Sequence, residues 1–167
     1  MKTLRPGEEE RMEMVQIEFT LNGERVVGRT PPHRTLLQFL RDEIQATEVK
    51  YGCGEGVCGA CAVLLDGQAV NSCLTLAVQA HGRQVTTVRG LLQDGELHPL
   101  QAAFVAEGAV QCGFCTPGIL ITLLDHLQHH PHPSREEIRQ MLAGNLCRCT
   151  GYRKIIKAVE RYTLSVE

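Results

Sequence analysis

Tryptophan is absent from the 167 residues, and phenylalanine and tyrosine together number seven. Aliphatic side chains must therefore fill any core. An excess of charge is lacking as well: seventeen Lys and Arg stand against nineteen Asp and Glu, a formal net charge of −2. Nucleic-acid binding calls for a basic face, so no nucleic acid is expected as a partner. No apolar run approaches the roughly 18 residues of a membrane span. The longest in a helical context is Gly118-Ile119-Leu120-Ile121-Thr122-Leu123-Leu124, so no membrane contact is expected. Residues 1–13 are charged and carry neither an apolar h-region nor paired arginines. They read as a disordered tail, with Glu8-Glu9-Glu10 solvated and Met12 or Met14 as alternative starts. With no secretory or twin-arginine signal there, a cytoplasmic location is expected. Internal repeats and low-complexity segments are also absent. The length allows one or two small domains that bury roughly 70% of their unfolded surface.

What the chain does have is eight cysteines. In a reducing compartment disulfides are rare, and clustered cysteines point to metal or redox chemistry. Buried structural thiols would be scattered, whereas these fall into two groups.

The first half reads as strands and turns. Val15, Ile17, Phe19 and Leu21 alternate with polar residues, the period of a half-buried strand. Asn22-Gly23 supplies a two-residue hairpin turn into Glu24–Val27. Thr35 opens a capping box with Gln38, and Leu36, Leu37, Leu40 and Ile44 make a helical stripe. Cys61–Leu65 is a short apolar strand ending at the turn Asp66-Gly67, and Gln84–Val88 is the last strand. One helix on a small mixed sheet describes a β-grasp, the arrangement of plant-type ferredoxins. Beyond Gly90 the signals become helical. Leu100–Val105 is one helix, and Thr116-Pro117 starts a second. Ser134 and Glu137 form the capping box of a third that stops at Gly144. Tyr152, Ile155, Ile156 and Val159 mark a fourth. The expected fold is α+β: an N-terminal β-grasp over residues 14–90, then a four-helix bundle over residues 91–167.

Cys53, Cys58 and Cys61 are spaced C-x4-C-x2-C, and Cys73 follows after eleven residues. That spacing belongs to plant-type [2Fe–2S] sites. A loop that supplies three thiolates to one cluster must bend sharply and aim its N–H groups at sulfur, which favours residues free to adopt positive φ. The loop Gly52–Cys61 holds four glycines. A four-cysteine zinc site would usually pair its ligands as C-x2-4-C and needs no such loop. The second group is C-x2-C at Cys112 and Cys115 and C-x-C at Cys147 and Cys149, 31 residues apart. Each pair precedes an expected helix, with Thr116 and Thr150 as candidate N-caps. Helix N-termini attract anions, as a thiolate-bound cluster would be. On spacing alone this group also suits zinc, and the neighbouring first group favours iron–sulfur.

Taken together, Gly52–Cys61, Gln111-Cys112-Gly113-Phe114-Cys115-Thr116-Pro117-Gly118 and Gly144-Asn145-Leu146-Cys147-Arg148-Cys149-Thr150-Gly151-Tyr152 resemble the signature stretches of the xanthine dehydrogenase/aldehyde oxidoreductase/carbon monoxide dehydrogenase family. The resemblance runs from about Met14 to the end, and the position of Cys73 follows this family rather than true plant ferredoxins. It implies a non-catalytic iron–sulfur subunit with two [2Fe–2S] clusters. Cys53, Cys58, Cys61 and Cys73 would hold one, and Cys112, Cys115, Cys147 and Cys149 the other. It implies a large molybdopterin-binding subunit and a medium FAD-binding subunit as partners, assembled as a dimer of heterotrimers. The large subunit would hydroxylate an aldehyde, purine or other N-heterocycle, or oxidise CO. Electrons would pass from molybdenum and its pterin to the helical cluster, then to the ferredoxin-like cluster, then to FAD. In relatives the residues matching Gln111 and Cys149 contact the pterin, so the resemblance implies that role for both.

Two other classes of function remain in view: a freestanding two-cluster ferredoxin, and a cysteine-rich zinc protein. His126, His129, His130 and His132 form a histidine-rich stretch that Pro131 and Pro133 mark as an exposed turn. Arg148 either offsets cluster charge or is plain surface.

Overall fold

The computed structural model describes residues 13–92 and 94–165. The expected tail over residues 1–12, with its Glu8–Glu10 run and the start at Met12, lies outside them. Strand β1 (Val15–Leu21) buries Ile17, Phe19 and Leu21 on one face, as the alternation requires. Asn22 and Gly23 take φ of 52° and 87°, the left-handed pair that matches the twist of a tight hairpin. The chain returns as β2 (Glu24–Thr30), three residues longer than the sequence pattern suggests. Thr35 Oγ1 accepts the Gln38 N–H at 3.2 Å, and Gln38 Oε1 accepts the Thr35 N–H at 3.1 Å. This capping box starts α1 (Leu36–Gln38), which widens at once into a π-turn over Phe39–Glu43. The wider turn shifts the helical phase. Leu36, Leu37 and Leu40 are therefore buried, while Ile44 is only half-buried.

Strands β3 (Ala62–Leu65) and β4 (Gln68–Asn71) form a second hairpin through Asp66-Gly67, and β5 is Gln84–Thr86. The sheet order is β2-β1-β5-β3-β4, with β1 and β5 parallel and the other pairs antiparallel. β5 stops two residues short of the expected Val88. There Asn22 Oδ1 captures the Thr87 N–H at 2.8 Å, and Val88–Leu91 turns into a short 3-10 helix.

The C-terminal half contains α2 (Pro99–Ala106), α3 (Thr116–His129), α4 (Arg135–Met141) and α5 (Arg153–Ser165). Two expectations about helix starts are corrected. Cys115 itself is the N-cap of α3, and Thr116 is the first helical residue. Thr150 does not cap α5, which begins three residues later. The Ser134–Glu137 capping box of α4 is present as expected.

Among the described residues, apolar side chains collect in two large clusters and one small one. Ile17, Phe19, Leu36, Leu37, Leu40, Val63 and Val85 lie under the sheet, while Leu100, Phe104, Ile119, Leu123, Ile138, Ile155 and Val159 lie between the helices. β3 joins them. Its Val63 and Leu65 face the first cluster, and its Ala62 and Leu64 meet Ile121 of α3 on the other side. A strand covered on both faces reads as an unbroken apolar run, which explains Ala62-Val63-Leu64-Leu65. Among the described residues no helix is long and apolar enough to cross a membrane.

Candidate metal centres

All eight cysteines are free thiols. The first four meet between the Gly52–Cys61 loop and the end of β4. Gly54, Gly56 and Gly59 have φ of 75°, 78° and 66°, so the loop coils back on itself as the spacing predicts. The Glu55 N–H points at Cys53 Sγ (3.3 Å) and the Cys53 N–H at Cys58 Sγ (3.4 Å). The Glu55 N–H, followed by contact with Cys58, pulls the Cys53 thiol down to about 6. Cys61 and Cys73 are buried and in contact, and burial first, then Cys61, pushes the Cys73 thiol up to about 11. Asn71 braces the loop: its Nδ2 donates to the Gly56 carbonyl at 3.0 Å, and its Oδ1 lies 3.9 Å from Cys61 Sγ.

The second four come together where the start of α3 meets the turn ahead of α5. Cys112 Sγ and Cys149 Sγ are 3.6 Å apart and exposed, well beyond the roughly 2.05 Å of a disulfide. Contact with Cys112 raises the Cys149 thiol. Cys115, buried, contacts Cys147, and burial first, then Cys147, pushes Cys115 up to about 12. Burial opposes ionisation of Cys147 as well. The Thr150 hydroxyl at 3.0 Å and its N–H at 3.5 Å nevertheless hold that thiol below its ordinary value. Metal binding needs deprotonated thiolates. Cys53 and Cys147 are shifted toward that form, and Cys73 and Cys115 away from it.

In each group the sulfurs pair two and two: Cys53 with Cys58 and Cys61 with Cys73, then Cys112 with Cys149 and Cys115 with Cys147. A tetrahedral zinc would draw all four sulfurs to about 2.3 Å from one centre. Two pairs instead match a binuclear group with two thiolates for each iron. The donor sets therefore fit [2Fe–2S] clusters.

Gln111, Cys112 and Cys149 are all exposed, and the last two touch. The expected pairing of both C-terminal groups with helix starts holds only for Cys115. Arg148 is exposed, and so are His129, His130 and His132. Two contributors escape sequence reading. Tyr152, taken there as part of a helical stripe, has φ of 63° and lies ahead of α5. Its hydroxyl accepts the Cys147 N–H at 2.8 Å and donates to the Asn145 carbonyl at 2.9 Å, closing the cysteine turn. Asn145 is buried with its Oδ1 unpartnered. The run Thr150-Gly151-Tyr152 directly after Cys149 is the signal that marks the first of these.

The comparisons agree with this geometry. Residues 19–87 match the family model of the 2Fe–2S iron–sulfur cluster binding domain, and residues 87–160 match that of the [2Fe–2S] binding domain. The chain is 49% identical to the nicotine 6-hydroxylase small subunit of Paenarthrobacter nicotinovorans, over 87% of each chain. It superposes on a chain of quinoline 2-oxidoreductase from Pseudomonas putida 86 with a TM-score of 0.87 and 45% identity, covering 92% of this chain and 95% of that one. Aldehyde oxidoreductase from Desulfovibrio gigas gives a TM-score of 0.85 at 40% identity, covering 92% of this chain but only 17% of that longer one. The chain belongs to the family of small [2Fe–2S] iron–sulfur subunits of the molybdenum hydroxylases.

Proposed function

We propose that the chain relays electrons through two [2Fe–2S] clusters, between a molybdopterin-binding partner subunit and an FAD-binding one. Cys53, Cys58, Cys61 and Cys73 hold one cluster within a β-grasp unit of residues 14–90. Cys112, Cys115, Cys147 and Cys149 hold the other within a four-helix unit of residues 91–167. When bound, each cluster supplies one-electron storage. The protein supplies the rest. Loop amides directed at Cys53 and Cys58 stabilise anionic sulfur, as hydrogen bonds to cluster sulfurs tune potential. Thr150 does the same for Cys147. Gln111 and Cys149, both exposed, contact the pterin of the large subunit, and no residue of this chain makes or breaks substrate bonds. The assembly is a dimer of heterotrimers in the cytoplasm.

One observation carries this reading: the two four-sulfur sites share a hydrogen bond. The Leu146 N–H, beside Cys147, donates to the Cys58 carbonyl at 3.0 Å. The native complex should contain about four irons per copy of this chain and show two separable signals on reduction. Cys149→Ser should remove the second signal and Cys58→Ser the first. Loss of both signals in either variant, or zinc in place of iron, would overturn the assignment. Recovery of the chain as a lone monomer from its own cells would instead favour a freestanding ferredoxin.

A further inference from the structure

Gly118 is an internal glycine in the first turn of α3. Its φ is not in the left-handed region, so the backbone there has no need of glycine, which costs a helix up to about 1 kcal/mol relative to alanine. The reason lies across the seam between the two halves. A Cβ on Gly118 would overlap the carbonyl oxygen of Gly59 and come within 3.0 Å of Ala60 Cα. Both are backbone atoms of the segment between Cys58 and Cys61, and Gly118 is three residues past Cys115. The missing side chain lets one ligand-bearing helix lie directly on the other ligand-bearing loop.

The same carbonyl is held by a second group. Asn145 Nδ2 donates to Gly59 O at 3.4 Å in a buried setting, while Asn145 Oδ1 accepts from no donor. Gly59 has φ of +66°, and a Cβ there would strike the Asn145 amide. Next to Asn145, Leu146 makes its bond to the Cys58 carbonyl. Gly118, Gly59 and Asn145 thus form one tight contact flanked by Cys58 and Cys61 on one side and by Cys115 and Cys147 on the other.

We propose that Gly118 is a positioning residue: its close approach to Gly59 and Ala60, clasped by Asn145, sets the separation between the two metal sites. The proposal rests on the two-cluster reading above. A methyl group at position 118 cannot be absorbed by a rotamer change, because what it meets is backbone. The contact must open by at least about 1.3 Å to reach an ordinary van der Waals distance. Electron tunnelling falls exponentially with the gap between redox centres, and magnetic dipolar coupling falls with its cube. The shift is therefore readable although no ligand is touched.

The test compares Gly118→Ala with Gly144→Ala in the native complex. Gly144 lies in the same seam, but a Cβ there meets nothing within 4 Å. Three readouts apply: iron content, the splitting that the two reduced clusters impose on each other's paramagnetic signals, and the rate of electron equilibration between them. Gly118→Ala should retain about four irons, show a reduced splitting and equilibrate several-fold more slowly, while Gly144→Ala matches the parent. A parent-like splitting in iron-replete Gly118→Ala overturns the proposal. If Gly118→Ala fails to fold or loses iron, Asn145→Ala carries the test. It removes the clasp without adding volume, and its splitting should also shrink; an unchanged splitting there overturns the proposal. A parent complex with fewer than two clusters would instead count against the two-cluster reading itself.

Discussion

Three of the four sulfurs of the first site, Cys53, Cys58 and Cys61, come from one nine-residue loop, whereas the second site draws its pairs from segments 31 residues apart. The first loop is shaped by its own glycines and by amides that already face sulfur. The second site exists only once α3 and the turn before α5 have been packed together around Ile119, Ile138 and Ile155. Closing a longer loop costs more chain entropy, and here that cost is offset by the helical core. The lesson is that one site is local in origin and the other is a product of tertiary packing.

Three perturbations bear on that contrast. The largest effect is expected from Ile155→Ala in α5, a residue 1% exposed. Such truncations cost about 2–5 kcal/mol. Thermal unfolding followed together with iron release should show the second cluster lost first, with the ferredoxin-type signal outlasting it. Simultaneous loss of both would mean the sites do not differ in origin. An intermediate effect is expected from Gly54→Ala in the first loop. Its φ of 75° costs a side chain about 1–2 kcal/mol, and the nearby Tyr51 hydroxyl sits at the end of an exposed side chain that can move away. Here the first cluster should be lost preferentially, as iron per chain and the retained second signal would show.

The smallest effect concerns His98, whose Nδ1 accepts the Leu100 N–H at 3.2 Å and caps α2. Burial lowers its pKa below the ordinary value of about 6.5, so the folded chain prefers the neutral ring that makes the cap. Below that ordinary value the unfolded chain binds a proton that the folded one resists. Stability should therefore fall as pH drops from about 6.5 toward the lowered value, then level off. The loss should be smaller than the roughly 1 kcal/mol of a good hydroxyl cap and absent in His98→Asn. A chemical-denaturation series against pH checks it, and should find the helical half affected and the sheet half unaffected.

Much of this was legible in the chain. The period of β1, the two left-handed hairpin turns and the capping boxes at Thr35 and Ser134 are local chemistry, and local chemistry is written in neighbouring residues. Where the reading slipped, a side-chain contact or a local break in the regular backbone period had intervened. Asn22 reaches across to Thr87 and cuts β5 short. The π-turn at Phe39–Glu43 leaves Ile44 half-buried at the edge of the core. Tyr152 leaves the helical pattern because its hydroxyl is needed by Cys147 and Asn145.

By itself the amino-acid order determined which thiols are candidate metal ligands and how they group, because ligand type and spacing within a loop are properties of consecutive residues. It also determined the family, through motifs that contain seven of the eight cysteines and through the position of Cys73. Only the tertiary structure decided that the sulfurs pair two and two, that Cys112 and Cys149 face outward while Cys115 faces inward, and that Gly118 lies on the Gly59 carbonyl. Those are relations between segments far apart in the chain. Their cause is close packing, which couples residues by shape and contact and leaves no periodic trace along the sequence.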